Sequence, residues 1–158
     1  MENIVEKEHL IEMLRNAFAE QTRGWTPGAD SRSYLGVAKD LMKFWPRDVK
    51  ELLPRILIEA LSEEMPFKGR TLDLECLLGL LSMEGFDNKT IAEREGDDLK
   101  EWKQDIFKDY DKHQACALYR SFVFLFSLYK DENPFVGFPN DFEAVLKYWG
   151  NRGECGSS

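Results

Sequence analysis

HQACALYRSFVFLFSLYK, residues His113–Lys130, is the most apolar stretch of the chain, yet Arg120 stands near its middle. A bilayer span needs about 20 mostly apolar residues. The longest run here without a charge, Ser121 to Tyr129, is nine residues, and a spanning helix would leave Arg120 at mid-depth. The stretch therefore reads as a helix of a folded core. At about 100° per residue, Leu118, Leu125, Phe122, Tyr129, Ala115, Phe126, Tyr119, Val123 and Cys116 fill one continuous half of it. His113, Gln114, Arg120, Ser121 and Ser127 share the other half with Ala117, Phe124 and Leu128. A surface helix shows an apolar stripe somewhat over 100° wide, and this one exceeds it. Two readings follow. Either neighbours pack the helix on both sides, or Phe124 and Leu128 belong to a homodimer or partner surface. A guanidinium at Arg120 that is buried needs a carboxylate or carbonyl partner. The expectation is a pair with an acid from another helix, Glu59 or Glu75.

Helical signals continue outward in both directions. Asp111 and Gln114 have the spacing of a capping box at the start of the apolar helix, and Asp98 and Glu101 repeat it before "LKEWKQDIFKDY". "NPFVGFP" halts the apolar helix, after which Asn140 and Glu143 cap a last one. That helix carries Phe142, Val145, Leu146 and Trp149 on one stripe and closes at Gly150. "TLDLECLLGLLSMEG" is leucine-rich and helical up to Gly85. Near the start, Asn3 and Glu6 cap a helix bearing Ile4, Ile11, Leu14 and Phe18, which Gly24 stops. Another runs from Ser33 to Phe44, ahead of Pro46. In "RDVKELLPRILIEALSEEM" a proline inside a helix would break it. Residues 48–52 thus read as one short turn, with Pro54 opening the next helix at its first position, where the missing N–H costs nothing. No alternating strand pattern longer than a few residues occurs. The expected fold is all-α: a single-domain irregular helical bundle of about six to seven helices over residues 1–150, its central apolar helix near 112–130, with a flexible tail at 151–158.

The 158 residues suffice for one core, and 43% hydrophobic with 32% charged residues is an ordinary globular balance. Net charge is −8, with pI near 4.9. Such a surface repels phosphate backbones and anionic lipid, and no basic patch interrupts it, so neither nucleic acid nor membrane is expected as a partner. Cys76, Cys116 and Cys155 are odd in number and far apart, with no C-x-x-C spacing, which supports neither a zinc site nor a disulfide framework. "MENIVEKEHLIEML" lacks the pattern of a secretory leader. A reducing cytoplasm is the expected setting.

Trp45, Asp48, Val49, Leu53, Pro54, Arg55 and Glu59 spell W-x-x-D-V-x-x-x-L-P-R-x-x-x-E. This block resembles one in an uncharacterised family of bacterial helical proteins. Trp102 and the segment from Asp111 to Tyr129 correspond in order, so the likeness covers roughly residues 40–130. It implies no activity, cofactor or catalytic residue. Read physically, Pro54 starts a helix, Arg55 and Glu59 can pair four residues apart, and Trp45 can cover an apolar edge. Arg55 could equally meet an anionic group.

Signals for chemistry are weak. Asp109, Asp111 and His113 alternate, but residues two apart on a helix diverge, whereas a metal needs converging ligands. His9 and Glu12 share a face without the two-histidine zinc motif. Cys116 follows His113 by three residues, yet sits in the apolar half, where a thiol is inert. No phosphate loop, dinucleotide fingerprint or nucleophile elbow occurs, and no cofactor or metal is expected. Two functional readings remain. One is a non-enzymatic protein–protein interaction module, immunity-like in form, that turns an acidic surface toward a basic partner or associates with itself. The other is a small-ligand binder or enzyme with a polar pocket between helices. Trp45, Arg55, Glu59 and Arg120 are the candidate polar cluster, and Phe124 and Leu128 the candidate interface.

Overall fold

The computed structural model describes residues 2–26, 44–63, 77, 80–81, 101, 104–127 and 138–153. It is an all-α helical bundle, with no strand among the described residues. The helices are α1 (Glu2–Ala17), α2 (Ala19–Thr22), α3 (Pro46–Leu61), α4 (Lys112–Ser127) and α5 (Phe138–Gly153). Leu77, Leu80, Leu81, Glu101 and residues 104–107 are also helical. The helix expected at 33–44, and the residues Glu75, Cys76, Leu128 and Cys155, lie outside the described residues.

α4 is the central helix, in contact with α1, α3 and α5. Its start has the capping box the spacing predicts. The Gln114 N–H donates to Asp111 Oδ1 at 2.8 Å, and the Asp111 N–H donates back to Gln114 Oε1 at 3.1 Å. Two N–H groups that the helix cannot satisfy internally are thereby paired. The Gln114 amide reaches further, donating to the Ala17 carbonyl at 3.2 Å and so tying the end of α1 to the start of α4. Burial around α4 is nearly complete. Ala115, Ala117, Leu118, Ser121, Phe122, Phe124 and Leu125 are all buried. Solvent meets a narrow stripe of Lys112, His113, Arg120, Val123 and Ser127, with Cys116 partly exposed along it.

One expectation is corrected here, and at Phe124 the choice between two readings is narrowed. Arg120 points to solvent rather than into the core, and no ion pair to it occurs among the described residues. Phe124 is only 6% exposed, covered by its own chain, while Val123, placed in the apolar half, is 38% exposed. The solvent stripe spans about 100° of the helix circumference and lies on the Arg120 side of Phe124. Periodicity gives the angles between residues, not where a narrow gap in the packing falls.

α5 continues past Gly150 to Gly153, because these two glycines form a seam with α4 rather than a stop. A Cβ on Gly150 would meet the Tyr119 ring at 3.1 Å, and one on Gly153 would meet the Cys116 backbone nitrogen at 2.7 Å. Moving three residues along α5 moves three back along α4, so the helices run antiparallel and touch almost backbone to backbone. The described helix thus includes residues assigned to the tail. It also begins at Phe138, so Asn140 falls inside it.

α1 buries Leu10 and Leu14, and Phe18 breaks the helix with φ −119° and ψ 46° while its ring enters the core. The Thr22 hydroxyl donates to the Phe18 carbonyl at 3.0 Å, and Gly24, with φ +71°, ends the turn as expected of a glycine in the left-handed region.

α3 departs most from its local signals. It is one continuous helix with Pro46 at N1, Trp45 as N-cap and Pro54 in its interior. Pro54 has no N–H to give the Lys50 carbonyl, a defect of about 3 kcal/mol in an isolated helix. Burial offsets it: Val49, Leu52, Leu53, Pro54, Ile56, Leu57, Ile58, Ala60 and Leu61 are all buried. Glu51, Arg55, Glu59 and Ser62 form a stripe with access to solvent on that stretch, beside the partly exposed Lys50. No helix among the described residues is long and apolar enough to cross a membrane.

Candidate functional site

The whole 45–59 block lies on α3, but its members do different things. Trp45 is 74% exposed. Its carbonyl accepts the Asp48 and Val49 N–H groups at 2.9 and 3.1 Å, and the adjoining Phe44 packs partly buried against the core. Pro46 fixes the following φ. The exposed indole is thus carried on a fixed backbone.

Arg55 is a clamp between α2 and α3. Its Nε donates to the Gln21 carbonyl at 2.9 Å, its guanidinium lies 3.4 Å from Glu51 Oε1, and its Cζ sits 5.4 Å from the centre of the Trp25 ring. The side chain is only 19% exposed. Planar stacking with a directional hydrogen bond is what guanidinium does better than ammonium, and α2, a single turn, needs such an anchor. Glu59 lies one turn further along α3 and is partly buried. With Trp45 and Arg120 both exposed, the four residues do not form one buried polar cluster.

A groove that sequence reasoning missed lies where α1 ends and α4 begins. Met13, Asn16 and Ala17 form one wall and Asp111, His113 and Cys116 the other, around a cavity of about 400 Å³. The Gln114–Ala17 hydrogen bond holds these walls together. Cys116 is disulfide-bonded, which corrects the expectation of an inert thiol at that position. The pairing of His113 with Cys116 was visible as i,i+3 spacing, but placing Cys116 wholly in the apolar half hid the groove.

Next to the groove is an aromatic cluster. Trp149, fully buried, donates its indole N–H to the Leu81 carbonyl at 3.0 Å and meets Phe107 edge-on at 5.0 Å. Tyr110 packs edge-on against Phe18 and Phe107 at 5.4 and 5.2 Å. Arg152 donates to the Phe107 carbonyl and, at 3.3 Å, to that of Tyr110, while stacking over Trp149. The Tyr110 hydroxyl is buried without a hydrogen-bond partner. Burial pushes that phenol above the ordinary tyrosine range, and the nearby Arg152 charge pulls it part of the way back.

At the rim, Lys50 meets Asp109 at 3.3 Å, an exposed pair worth under about 1 kcal/mol. No group of three metal-ligating side chains comes together among the described residues. No family model, no characterised protein and no solved structure matches the chain.

Proposed function

We propose that this chain is a protein-binding module, without catalytic activity of its own, that engages a basic partner through the N-terminal end of α3. The observation that carries this reading is Trp45: a tryptophan 74% exposed on a backbone fixed by its own capping role. Tryptophan buries a large area at small entropic cost and is enriched among residues that dominate interfaces. Asp48 and Glu51 follow it at three-residue intervals on α3, and the chain carries a net charge of −8. An immunity-like role, masking a basic toxin or nuclease, is one form of this reading. A cytoplasmic setting belongs to it as well, and there the Cys116 disulfide falls in the class of bonds that form and break reversibly.

The test is capture of partners on the immobilised full chain, with Trp45→Ala and a salt series alongside. A basic protein retained by the wild type, lost with Trp45→Ala and released by salt supports the reading. Retention that ignores both changes overturns it. Light scattering asks whether the partner is a second copy; Phe124 no longer supports that arrangement, since its own chain covers it.

The second reading, a small-ligand site, is favoured by the groove between α1 and α4. Its volume of about 400 Å³ is in the range of ligand pockets. A thermal-shift screen with a metabolite panel, repeated on Asn16→Leu, separates the two readings.

A further inference from the structure

The residues that α4 shows to solvent are spaced as a seam. His113, Cys116, Arg120, Val123 and Ser127 recur at intervals of three, four, three and four residues, and each is wholly or partly exposed. At that spacing one helix receives the side chains of another. Charge and shape say what such a helix carries. The chain has 29 acidic residues, yet none lies between Lys112 and Ser127, and Arg120 stands exposed at the midpoint of the seam. Val123, three residues on, is apolar and 38% exposed. At the head of the seam the cavity of about 400 Å³ opens between α1 and α4, with Met13 and Ala17 in its opposite wall. Asp111 borders it, but its Oδ1 is engaged by the Gln114 N–H. A second copy of the chain fits poorly. His113 and Ser127 each lie seven residues from Arg120, so two seams paired about their midpoints, parallel or antiparallel, set Arg120 against Arg120. Like charges placed so close disfavour that pairing.

We propose that the α4 seam is a docking groove for an acidic amphipathic helix from a different protein. The partner lays its apolar stripe along Val123 and seats a large apolar side chain in the cavity. A Glu or Asp near the middle of that stripe meets Arg120. The guanidinium is solvated in the free chain, and docking desolvates it only as its counter-charge arrives. The net charge of −8 repels an acidic segment, but screening confines that repulsion to about 8 Å at physiological ionic strength. Within that distance the local sign decides, and along the seam it is positive. This surface goes beyond the one at the start of α3, since the two select partners of opposite charge.

The probe is a displayed library of helical peptides panned on the native chain. Flanking positions vary among Glu, Lys and Gln, and apolar positions among Leu, Phe and Ala. Expected is enrichment of Glu-bearing helices whose binding shifts amide resonances within residues 113–127 and 13–17. Arg120→Glu should weaken an enriched peptide by about tenfold or more, and changing the peptide's Glu residues to Lys should restore binding to that variant. Arg23→Glu makes the same change in net charge at an exposed position at the end of α2, and should leave affinity within about twofold. Val123→Gln, also on the exposed seam, should weaken the same peptide, so the test stands even where Arg120→Glu perturbs folding. Four results would overturn the proposal. They are no enriched helix, enrichment of Lys-bearing helices instead, equal losses from Arg120→Glu and Arg23→Glu, and a dimer of the chain itself that shields the seam.

Discussion

α3 and α4 are both sixteen residues long and both enclosed on nearly every side, yet they are held by opposite means. α4 starts with a reciprocal capping box, a device written entirely within four consecutive residues. α3 starts on Trp45 with no side-chain cap and carries Pro54 through its middle. α4 would announce itself in a short peptide. α3 is a helix because the rest of the core requires one there. The difference teaches that a local signal and a buried face can each specify a helix, and that they fail differently when removed.

The largest effect should come from taking away what holds α3. Leu53→Ala, at a fully buried position, should cost about 2–5 kcal/mol in urea unfolding, whereas Val123→Ala on the solvent stripe of α4 stays within about 0.5 kcal/mol. Equal costs at the two positions would undo the assignment of that stripe. Next comes the cap of α4. Asp111→Ala should lose about 0.5–2 kcal/mol, and Asp111→Asn should recover most of it, read as shifts in the denaturation midpoint.

These two predictions mark what was legible in the sequence and what was not. The Asp111–Gln114 box was readable because both partners lie three residues apart, within the reach of a local pattern. The stops at Gly24 and Gly150 looked alike as sequence. Only Gly24 has a positive φ, while Gly150 is small so that Tyr119 can lie against α5. Pro54 was misread because its local preference opposes eight other buried residues on the same helix, and the core prevails. Arg120 lies in the narrow solvent gap and Phe124, four residues on, just outside it, a difference that periodicity alone does not fix. The Cys116 bond and the groove beside it depend on packing between segments distant in the chain. The all-α class survived these local errors because each of them moved a helix end or a side chain, never an element type.

Smaller effects sharpen the contrast further. Tyr110→Phe removes a buried hydroxyl that has no partner, so the variant should be more stable by about 1 kcal/mol, measurable by calorimetry. A loss of stability would mean that the hydroxyl is satisfied in solution. Pro54→Ala restores an N–H for the Lys50 carbonyl, a gain of about 3 kcal/mol by itself. Against this stand roughly two buried methylenes, about 1.6 kcal/mol, and the freer unfolded chain, about 0.4–1 kcal/mol. The net is a stabilisation of up to about 1 kcal/mol, and a marked loss in thermal melts would show that the ring itself is a packing element. Trp45→Ala should be the smallest of all, within about 0.5 kcal/mol, because the side chain neither caps α3 nor enters the core.

The same exposure of Trp45 gives three of the four tryptophans an optical asymmetry. Trp25 and Trp149 are shut away from solvent, at 5% and 0% exposure, while Trp45 stands in it. In a Trp102→Phe background an aqueous quencher such as acrylamide will therefore extinguish the emission of Trp45 well before that of the two enclosed indoles. A partner seated on the start of α3 would shield that emission and shift it to the blue, so such a chain carries a built-in reporter of its own occupancy.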